Sequence, residues 1–263
     1  MFRQTKSQEV IDHQLGSLLF PLGDKVMAPF INEHGIWESD EVDWLKQNIK
    51  EGLTCLNIGA NVGYFACWMS ILTGKRGKVI AIEPNPELLP FLKKNISNLE
   101  LKNIDVMRFA AGEKTTKTRL YLNRNNYGDS RVFDPRTTIG GGDYIVAGFT
   151  PKLESKKIKM ISLDEFIDEK IDLVLCDTQG WDHFALRGMK KLIKRFHPSI
   201  LTEFSPPWIE DLGENPIDVI SEFQSWGYRI GSTDLDLSEN PSAKEINAKI
   251  QESEKFYANL ILN

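Results

Sequence analysis

The sequence has few cysteines, no long hydrophobic run and no apolar leader. Its three cysteines, Cys55, Cys67 and Cys176, each lie in an apolar stretch and form no CxxC pair, which favours buried free thiols in a reducing compartment. No run of about 18 apolar residues occurs, and the first residues lack the apolar core of a signal peptide. We therefore expect a cytoplasmic protein with no membrane span and no export signal.

Positive charge is also scarce. The formal net charge is −5, and no basic stretch is longer than a lysine pair such as Lys93-Lys94. Binding of duplex nucleic acid depends on neutralising phosphates, so we expect no nucleic-acid partner. The chain has 263 residues, enough to bury a core without a disulfide or a metal. The sequence leaves open whether it forms a homo-oligomer.

Short apolar strands alternate with helical segments from residue 53 onward. We predict helices over residues 64–72, 86–96, 181–196 and 216–226. We predict strands over residues 53–58, 79–82, 105–110, 171–176, 199–203, 228–230 and 256–262. This alternation indicates a parallel sheet covered on both faces. The last two strands are joined by the polar stretch 231–253 and are candidates for an antiparallel pair. The predicted fold class is therefore α/β, with a seven-stranded, mostly parallel, Rossmann-like sheet and helices on both faces.

Two regions break this pattern. Residues 1–50 are predicted to form an N-terminal helical cover on the acceptor side, in which residues 10–20 are either an amphipathic helix or an irregular segment. Residues 51–263 would form the main domain, with an insertion at about 111–160 that carries a polar, glycine-bearing loop over residues 125–142. We expect the loop to lie over the site, with four of its side chains near a substrate: Tyr127, Asp129, Ser130 and Arg131.

The turn after the first strand of the main domain has the pattern of a cofactor site. The residues Asn57-Ile-Gly-Ala-Asn-Val-Gly63 close a strand and open a helix. In a doubly wound sheet, ligands bind beyond the carboxyl ends of the strands, where glycines let the backbone come close. Gly59 and Gly63 would supply that access, and Asn57 and Asn61 would add polar groups.

An acidic residue ends the second strand of the main domain. Glu83 lies 20 residues after Gly63, where a carboxylate can accept hydrogen bonds from the two hydroxyls of a ribose. The turn and the acid together do not separate NAD from S-adenosylmethionine. A pyrophosphate cradle needs more bare backbone than the two glycines of GANVG, which favours a cofactor without phosphates.

An ordered series of segments resembles the FkbM-type methyltransferases. The segments are LNIGANVGYFACW (56–68), VIAIEPNPELLPFLKKNI (79–96), FAAG (109–112), SLDEF (162–166), DLVLCDTQGWDHFALRG (172–188) and SILTEFSP (199–206). The resemblance implies a class I fold, S-adenosylmethionine as methyl donor with S-adenosylhomocysteine as product, and methylation of a hydroxyl on a sugar, a polysaccharide building block or a natural product.

The resemblance also implies roles for individual residues. The turn that contains Gly59, Ala60 and Gly63 would hold the methionine part of the donor, Glu83 its ribose, and the backbone at Ala110-Ala111 its adenine. The sequence departs from the family at three places. Asn57 stands where an aspartate is frequent, and Cys176 and Asp182 stand where the family often has lysine and glutamate.

Four polar residues follow the predicted fourth and fifth strands of the main sheet: Asp177, Asp182, His183 and Glu203. In one interpretation Asp177 or His183 is the general base and Glu203 binds the acceptor's hydroxyls. In a second, Asp177, Asp182 and Glu203 supply oxygen ligands to Mg²⁺ or Mn²⁺. In a third, the acids are structural, with Asp182 favoured by the helix dipole.

Residues outside this cluster complete the prediction. Trp37 and Glu38 precede a helix and could touch the cofactor, and Asp177 is a further candidate for a cofactor contact. Trp208 is a candidate platform on which a sugar ring could stack. The sequence favours an S-adenosylmethionine-dependent O-methyltransferase acting on a hydroxyl of a sugar or nucleotide sugar. The alternatives are an NAD-type oxidoreductase, although no Tyr-x-x-x-Lys pair lies near a helix start, and a cofactor-binding protein without catalysis.

Overall fold

The computed structural model describes residues 6–134 and 154–263. The glycines at 140–142, which were predicted to belong to the loop over the site, lie outside the described residues. In chain order, the strands are β1 (Ser7–Asp12), β2 (Gly16–Pro21), β3 (Thr54–Ile58), β4 (Lys78–Ile82), β5 (Ile104–Met107), β6 (Ala110–Ala111), β7 (Thr116–Tyr121), β8 (Ser155–Ile161), β9 (Leu173–Cys176), β10 (Ser199–Phe204), β11 (Ile230–Ser232) and β12 (Ala258–Leu262).

The helices lie between these strands, and a short 3₁₀ helix covers Tyr127–Asp129. In chain order, the α-helices are α1 (Met27–His34), α2 (Ser39–Asn48), α3 (Tyr64–Thr73), α4 (Leu89–Asn98), α5 (Leu163–Phe166), α6 (Asp182–Arg187), α7 (Lys190–Phe196), α8 (Pro206–Asp211), α9 (Pro216–Ser225) and α10 (Ala243–Glu252). Across the described residues, none of these helices is long and apolar enough to cross a bilayer.

The main sheet has seven strands in the order β11-β12-β10-β9-β3-β4-β5. β12 runs antiparallel to both of its neighbours, and every other neighbouring pair is parallel. The predicted seven-stranded, mostly parallel sheet is therefore confirmed, and so is the antiparallel arrangement of its last two strands. The strand order reverses between β3 and β9, so their carboxyl ends border the crevice in which such sheets bind ligands.

Both faces of this sheet are buried, which explains its nearly continuous apolar strands. Along β3, Cys55 packs in a core with the N-terminal hairpin, α3 and α4, and the next residue, Leu56, packs in a second core on the opposite face. All three cysteines are buried free thiols, as predicted. Burial raises the pKa of the Cys55 thiol to about 12, so this thiol is unreactive at neutral pH.

The N-terminal segment differs from the prediction. Residues 7–21 form the antiparallel hairpin β1-β2, not an amphipathic helix. The buried Asp12 holds its turn, because Oδ1 accepts hydrogen bonds from the backbone nitrogens of Gln14 at 2.8 Å and Leu15 at 2.7 Å. In β2, the buried Leu18 and Phe20 alternate with the partly exposed Leu19, which is the period of a strand. α1 and α2 follow as helices.

Other elements also correct the predicted boundaries. The helix predicted over 181–196 is interrupted at Gly188, where a Cβ would lie 2.1 Å from the carbonyl oxygen of Gly112. The stretch 231–253 contains α10, whose N-terminus is capped by Ser242. Residues 206–211 form α8 and do not extend the fifth strand of the main sheet.

A separate small sheet lies within the predicted insertion. Its order is β6-β8-β7, with β6 parallel and β7 antiparallel to β8. Leu120, Ile158 and Met160 bury one of its faces. β5 ends at Met107, so Ala110-Ala111, predicted as the end of that strand, instead belongs to this small sheet.

Candidate functional site

A cavity of about 410 Å³ opens at the carboxyl ends of the central strands. Its walls combine the turn after β3, the ends of β4, β9 and β10, the small sheet, and segments from the N-terminal and C-terminal regions. This volume lies within the range of about 300–1,000 Å³ that is usual for small-molecule sites. Its position is the crevice expected from the reversal of strand order.

The glycine turn is shaped by close backbone packing. Gly59 has φ +86°, and a Cβ there would lie 1.8 Å from the carbonyl oxygen of Asp177 at the end of β9. Gly63 has φ +93°, and a Cβ there would lie 2.5 Å from Cδ1 of Leu92 in α4. The two glycines therefore let the turn fit between β9 and α4, a role beyond the close approach to a ligand that the sequence suggested.

Glu83 is held in place by the backbone around it. Its Oε2 accepts a hydrogen bond from the backbone nitrogen of Asn61 at 2.7 Å, and its Oε1 accepts one from that of Asn85 at 2.6 Å. Burial raises the pKa of this carboxyl to about 7. Each oxygen keeps a second lone pair, so the fixed carboxylate can accept from two ribose hydroxyls.

The wall next to Glu83 is apolar. Ala110 and Ala111 of β6 line the cavity together with Pro84 and Leu88. An apolar wall beside a carboxylate that can accept from two hydroxyls suits an adenosine group, so the residues present fit S-adenosylmethionine. Asn57 lies elsewhere: its side chain is fully buried, it is outside the lining of the cavity, and its amide has no hydrogen-bond partner among the described residues.

Three further carboxylates meet at the cavity. Glu38 comes from the start of α2, Asp177 from the end of β9 and Glu203 from β10. Burial raises the pKa of each, and the charge of Asp177 raises the pKa of Glu38 and Glu203 further. Oε2 of Glu203 is buried and has no hydrogen-bond partner within the described part of the chain.

The structure separates the four residues predicted as the catalytic cluster. Asp177 and Glu203 line the cavity, whereas Asp182 and His183 lie outside its lining. Asp182 is buried and accepts hydrogen bonds from the backbone nitrogens of Thr178 at 3.0 Å and Gly180 at 3.2 Å. It therefore fixes the turn that follows Asp177, and burial raises its pKa to about 7.

His183 lies inside the protein, 2% exposed, with its ring 4.1 Å from that of Phe184. Burial, reinforced by the charge of Arg187, lowers its pKa to about 4, so the imidazole is neutral at physiological pH. A neutral ring away from the cavity has no path to an acceptor hydroxyl, so this geometry does not favour the general base role considered for His183.

The predicted metal ligands do not form a site. Within residues 6–134 and 154–263, no group of three or more His, Cys, Asp or Glu side chains has a geometry that could hold a metal ion. Asp182 directs its two oxygens to backbone N–H groups of the 178–180 turn. The arrangement of Asp177, Asp182 and Glu203 therefore favours acid–base chemistry over a shared cation.

The loop before residue 135 forms another wall of the cavity. All four of its predicted contact residues line the cavity. Arg131 donates from Nε to Oδ1 of Asp129 at 2.5 Å, and its guanidinium lies 4.4 Å from the ring centre of Trp208. Because Arg131 covers that face of the indole, Trp208 is not a free platform for a sugar there.

Sequence reasoning missed four aromatic residues of the cavity: Tyr64, Phe65, Trp181 and Tyr257. Tyr257 precedes β12, and burial, together with the charge of Glu203, raises the pKa of its hydroxyl. Its position follows from the antiparallel direction of β12, whose amino end lies beside the carboxyl end of β10. The predicted antiparallel direction of this strand was the one sequence signal that could have placed Tyr257 at the cavity, because no local motif surrounds it.

Comparison with known proteins gives a consistent result. The model of the methyltransferase FkbM domain family matches residues 57–230. The FkbM methyltransferase structure from Methylobacillus flagellatus KT aligns with a TM-score of 0.50 and 16% identity, over 82% of this chain and 44% of that one. A putative rRNA methylase from Clostridium thermocellum aligns with a TM-score of 0.50 and 11% identity, over 86% of this chain and 93% of that one. At these identities, both structures show the fold alone.

The curated relatives match over a short segment. Protein-L-isoaspartate O-methyltransferase 1 from Archaeoglobus fulgidus is 38% identical over 60 residues, which are 23% of this chain and 28% of that protein. The corresponding enzyme from Caenorhabditis elegans is 25% identical over 109 residues, 38% of this chain and 48% of that one. The chain thus spans less than half the length of these relatives.

Proposed function

Because the chain belongs to the FkbM methyltransferase family and is an S-adenosylmethionine-dependent methyltransferase, we propose that it methylates a hydroxyl group of a sugar or nucleotide sugar in glycan or natural-product synthesis. The observation that carries this proposal is the carboxylate group at the cavity: Glu38, Asp177 and Glu203. Carboxylates accept hydrogen bonds from hydroxyls and can take up the proton that a hydroxyl loses when its oxygen is methylated.

The donor would lie along the side of the cavity formed by the glycine turn. Glu83 would bind its ribose, the wall of Ala110 and Ala111 its adenine, and the 59–63 turn with Glu38 its methionine part. When bound, S-adenosylmethionine supplies an electrophilic methyl group that an oxygen attacks while the carbon–sulfur bond breaks. The site residues align the acceptor oxygen with that methyl group.

Glu203 is our first candidate for the general base. Oε2 of Glu203 has no competing hydrogen bond among the described residues, whereas Asp177 accepts one from Nε2 of Gln179 at 2.7 Å. A raised pKa makes the ionised Glu203 a stronger proton acceptor than an ordinary glutamate. In this arrangement Asp177 positions a second hydroxyl of the acceptor or the amino group of the donor.

Charge favours a neutral acceptor over an acidic one. The relatives are named for an isoaspartate substrate, and a carboxylate acceptor would enter this cavity against Glu38, Asp177 and Glu203. Arg131 lowers the pKa of Glu203, but its guanidinium is also paired with Asp129, so the lining has three carboxylates against one shared cation. Repulsion between like charges in a buried site opposes the carboxylate, and a sugar hydroxyl avoids it.

Calorimetry and a labelled methyl donor test the proposal together. We expect S-adenosylhomocysteine to bind and NAD not to bind, and label to appear in an alkali-stable ether on a member of a nucleotide-sugar panel. The variant Glu203→Gln should bind S-adenosylhomocysteine normally and transfer no label. Label found only in alkali-labile esters, or only on nitrogen, would overturn hydroxyl methylation.

A further inference from the structure

The small sheet carries a basic exposed face. Lys117 and Arg119 of β7 point to the same side as Lys157 and Lys159 of β8, and all four are exposed. The register places Lys117 directly opposite Lys159, and Arg119 directly opposite Lys157. Neighbours along a strand face are about 7 Å apart and opposite residues about 5 Å apart, so four cations occupy one compact patch.

These cations repel one another and are not neutralised within the described chain. Like charges directly opposite on neighbouring strands destabilise a sheet. No acidic side chain of the described residues forms an ion pair with any of the four. Lys78, by contrast, forms ion pairs with Asp105 at 3.3 Å and Glu169 at 2.7 Å. The small sheet thus carries four unpaired cations on one face, although the whole chain has a net charge of −5.

The basic face belongs to the same sheet that forms a wall of the cavity. Leu120, Ala110 and Ala111 of this sheet line the cavity. β7 is the outer strand of this sheet, and its last residue, Tyr121, pairs with the backbone of Arg131. Residues 117–119 of β7 have no further strand beside them within the described chain, so an extended ligand can pass from the cavity around that edge to the basic face. The half-buried Tyr121 continues the row of Lys117 and Arg119 and adds an aromatic ring to the face.

We propose that this basic face, Lys117, Arg119, Lys157 and Lys159, binds the acidic units of a polysaccharide whose neutral unit enters the cavity. The choice of a polysaccharide rests on the proposed function. A polysaccharide also accounts for the opposite charges of the cavity and the basic face. The carboxylates of the cavity favour a neutral sugar unit, and the cations of the basic face favour an acidic one. A linear chain with alternating acidic and neutral sugars meets both conditions.

The surroundings of the face favour this ligand over a membrane. Insertion into a bilayer needs exposed apolar side chains beside the cations. None of the exposed large apolar residues of the described chain lies on the strands of this sheet; they are Ile11, Leu22, Val26, Phe30, Ile71, Phe166 and Phe256. A bound chain needs only regularly spaced cations and a ring such as Tyr121.

Binding of a labelled hyaluronan fragment, in which acidic and neutral sugars alternate, tests the proposal by fluorescence anisotropy. We expect the wild-type protein to bind it with an affinity that falls as salt rises, and to bind uncharged dextran far more weakly. The variant Lys117→Gln/Arg119→Gln/Lys157→Gln/Lys159→Gln should bind at least about tenfold more weakly and lose most of the salt dependence.

A matched variant controls for net charge. Lys75→Gln/Lys93→Gln/Lys94→Gln/Lys102→Gln removes four exposed lysines elsewhere and should keep wild-type binding. Equal losses in both variants, or tighter binding of an RNA with the same number of charges, would overturn the proposal. S-adenosylhomocysteine affinity should be unchanged in both variants, which shows that they fold. Hyaluronan binding without methyl transfer to any sugar would support the basic face and overturn only the proposed function.

Discussion

The two sides of the cavity are built differently. On the donor side, both oxygens of Glu83 are fixed by backbone N–H groups only a few residues from the turn they support. On the acceptor side, Asp177 and Glu203 come from two different strands, and Oε2 of Glu203 has no partner among the described residues. The donor side is therefore preorganised by local structure, whereas the acceptor side depends on its substrate to complete its hydrogen bonds.

The largest expected effect is on stability and comes from Gly59, where the turn after β3 packs against the end of β9. Gly59→Ala should lower the free energy of unfolding by about 3 kcal/mol or more, because it adds a clash with the Asp177 carbonyl to the cost of a left-handed backbone. Gly52→Ala is the matched control, since Gly52 has φ +91° with no atom within 4 Å of its Cβ position. Equal losses in denaturant titrations of the two variants would show that packing against β9 is unimportant.

Glu203→Gln should reduce kcat by about 10²–10⁴-fold, the usual contribution of a general base. The affinity for S-adenosylhomocysteine should stay within about twofold, because Glu203 is assigned to the acceptor. The exposed Glu252→Gln serves as a control for the loss of one negative charge. A variant that kept wild-type kcat at saturating acceptor would remove Glu203 as the base and leave Asp177 as the candidate.

Glu83→Gln should weaken S-adenosylhomocysteine binding by about tenfold, because a charge-assisted hydrogen bond is replaced by a neutral one. In the wild-type protein this affinity should rise as pH increases through about 7, where the carboxyl ionises. The variant should lose that dependence in calorimetry between pH 5.5 and pH 8. An unchanged pH profile would place ribose recognition elsewhere.

The Glu83 carboxyl also makes the stability of the ligand-free protein depend on pH. Its pKa is raised from 4.5 in the unfolded chain to about 7 in the folded protein, so the unfolded chain releases its proton first. The folded state should therefore lose stability as pH rises from about 4.5 to about 7. Thermal unfolding should show a smaller loss over this range in Glu83→Gln.

The smallest expected effect is that of His183→Phe. The ring is buried beside Phe184 and outside the lining of the cavity, so kcat at saturating substrates should change by less than about threefold. The melting temperature is the control, since it reports any repacking. A loss of activity as large as that of Glu203→Gln, with the melting temperature unchanged, would show that His183 takes part in catalysis.

The sequence predicted the donor side well, because its signals are local. The turn from Asn57 to Gly63 and the acid at Glu83 follow neighbouring strands, so their meeting is a property of parallel sheets. Of the residues predicted in the turn, Gly59, Ala60 and Asn61 line the cavity, whereas Gly63 and the buried Asn57 lie outside its lining, and their roles toward a cofactor stay predictions. Successive side chains of a strand point to opposite faces of the sheet. The motif alone does not show to which face the side chain of Asn57 points.

The acceptor side could be predicted only in part, because it depends on long-range packing. Asp177 and Glu203 lie at the ends of strands and line the cavity, but Tyr257 reaches the cavity only through the antiparallel β12. The hairpin was not predicted, because residues 13–16 lack a recognised hairpin turn motif, and residues 10–20 were left as either a helix or an irregular segment. Asp182 and His183 were grouped with the cavity because sequence proximity to Asp177 does not show which way a helix turns its side chains.

Asn95 of α4 joins the N-terminal hairpin to the cofactor turn. Its side chain accepts from the backbone nitrogen of Leu19 at 2.7 Å and donates to the carbonyls of Leu19 at 3.0 Å and Val62 at 2.9 Å. Opening of the hairpin and loosening of the turn are therefore thermodynamically linked events. Filling the donor site should slow amide hydrogen exchange in β2, far from any atom the donor touches.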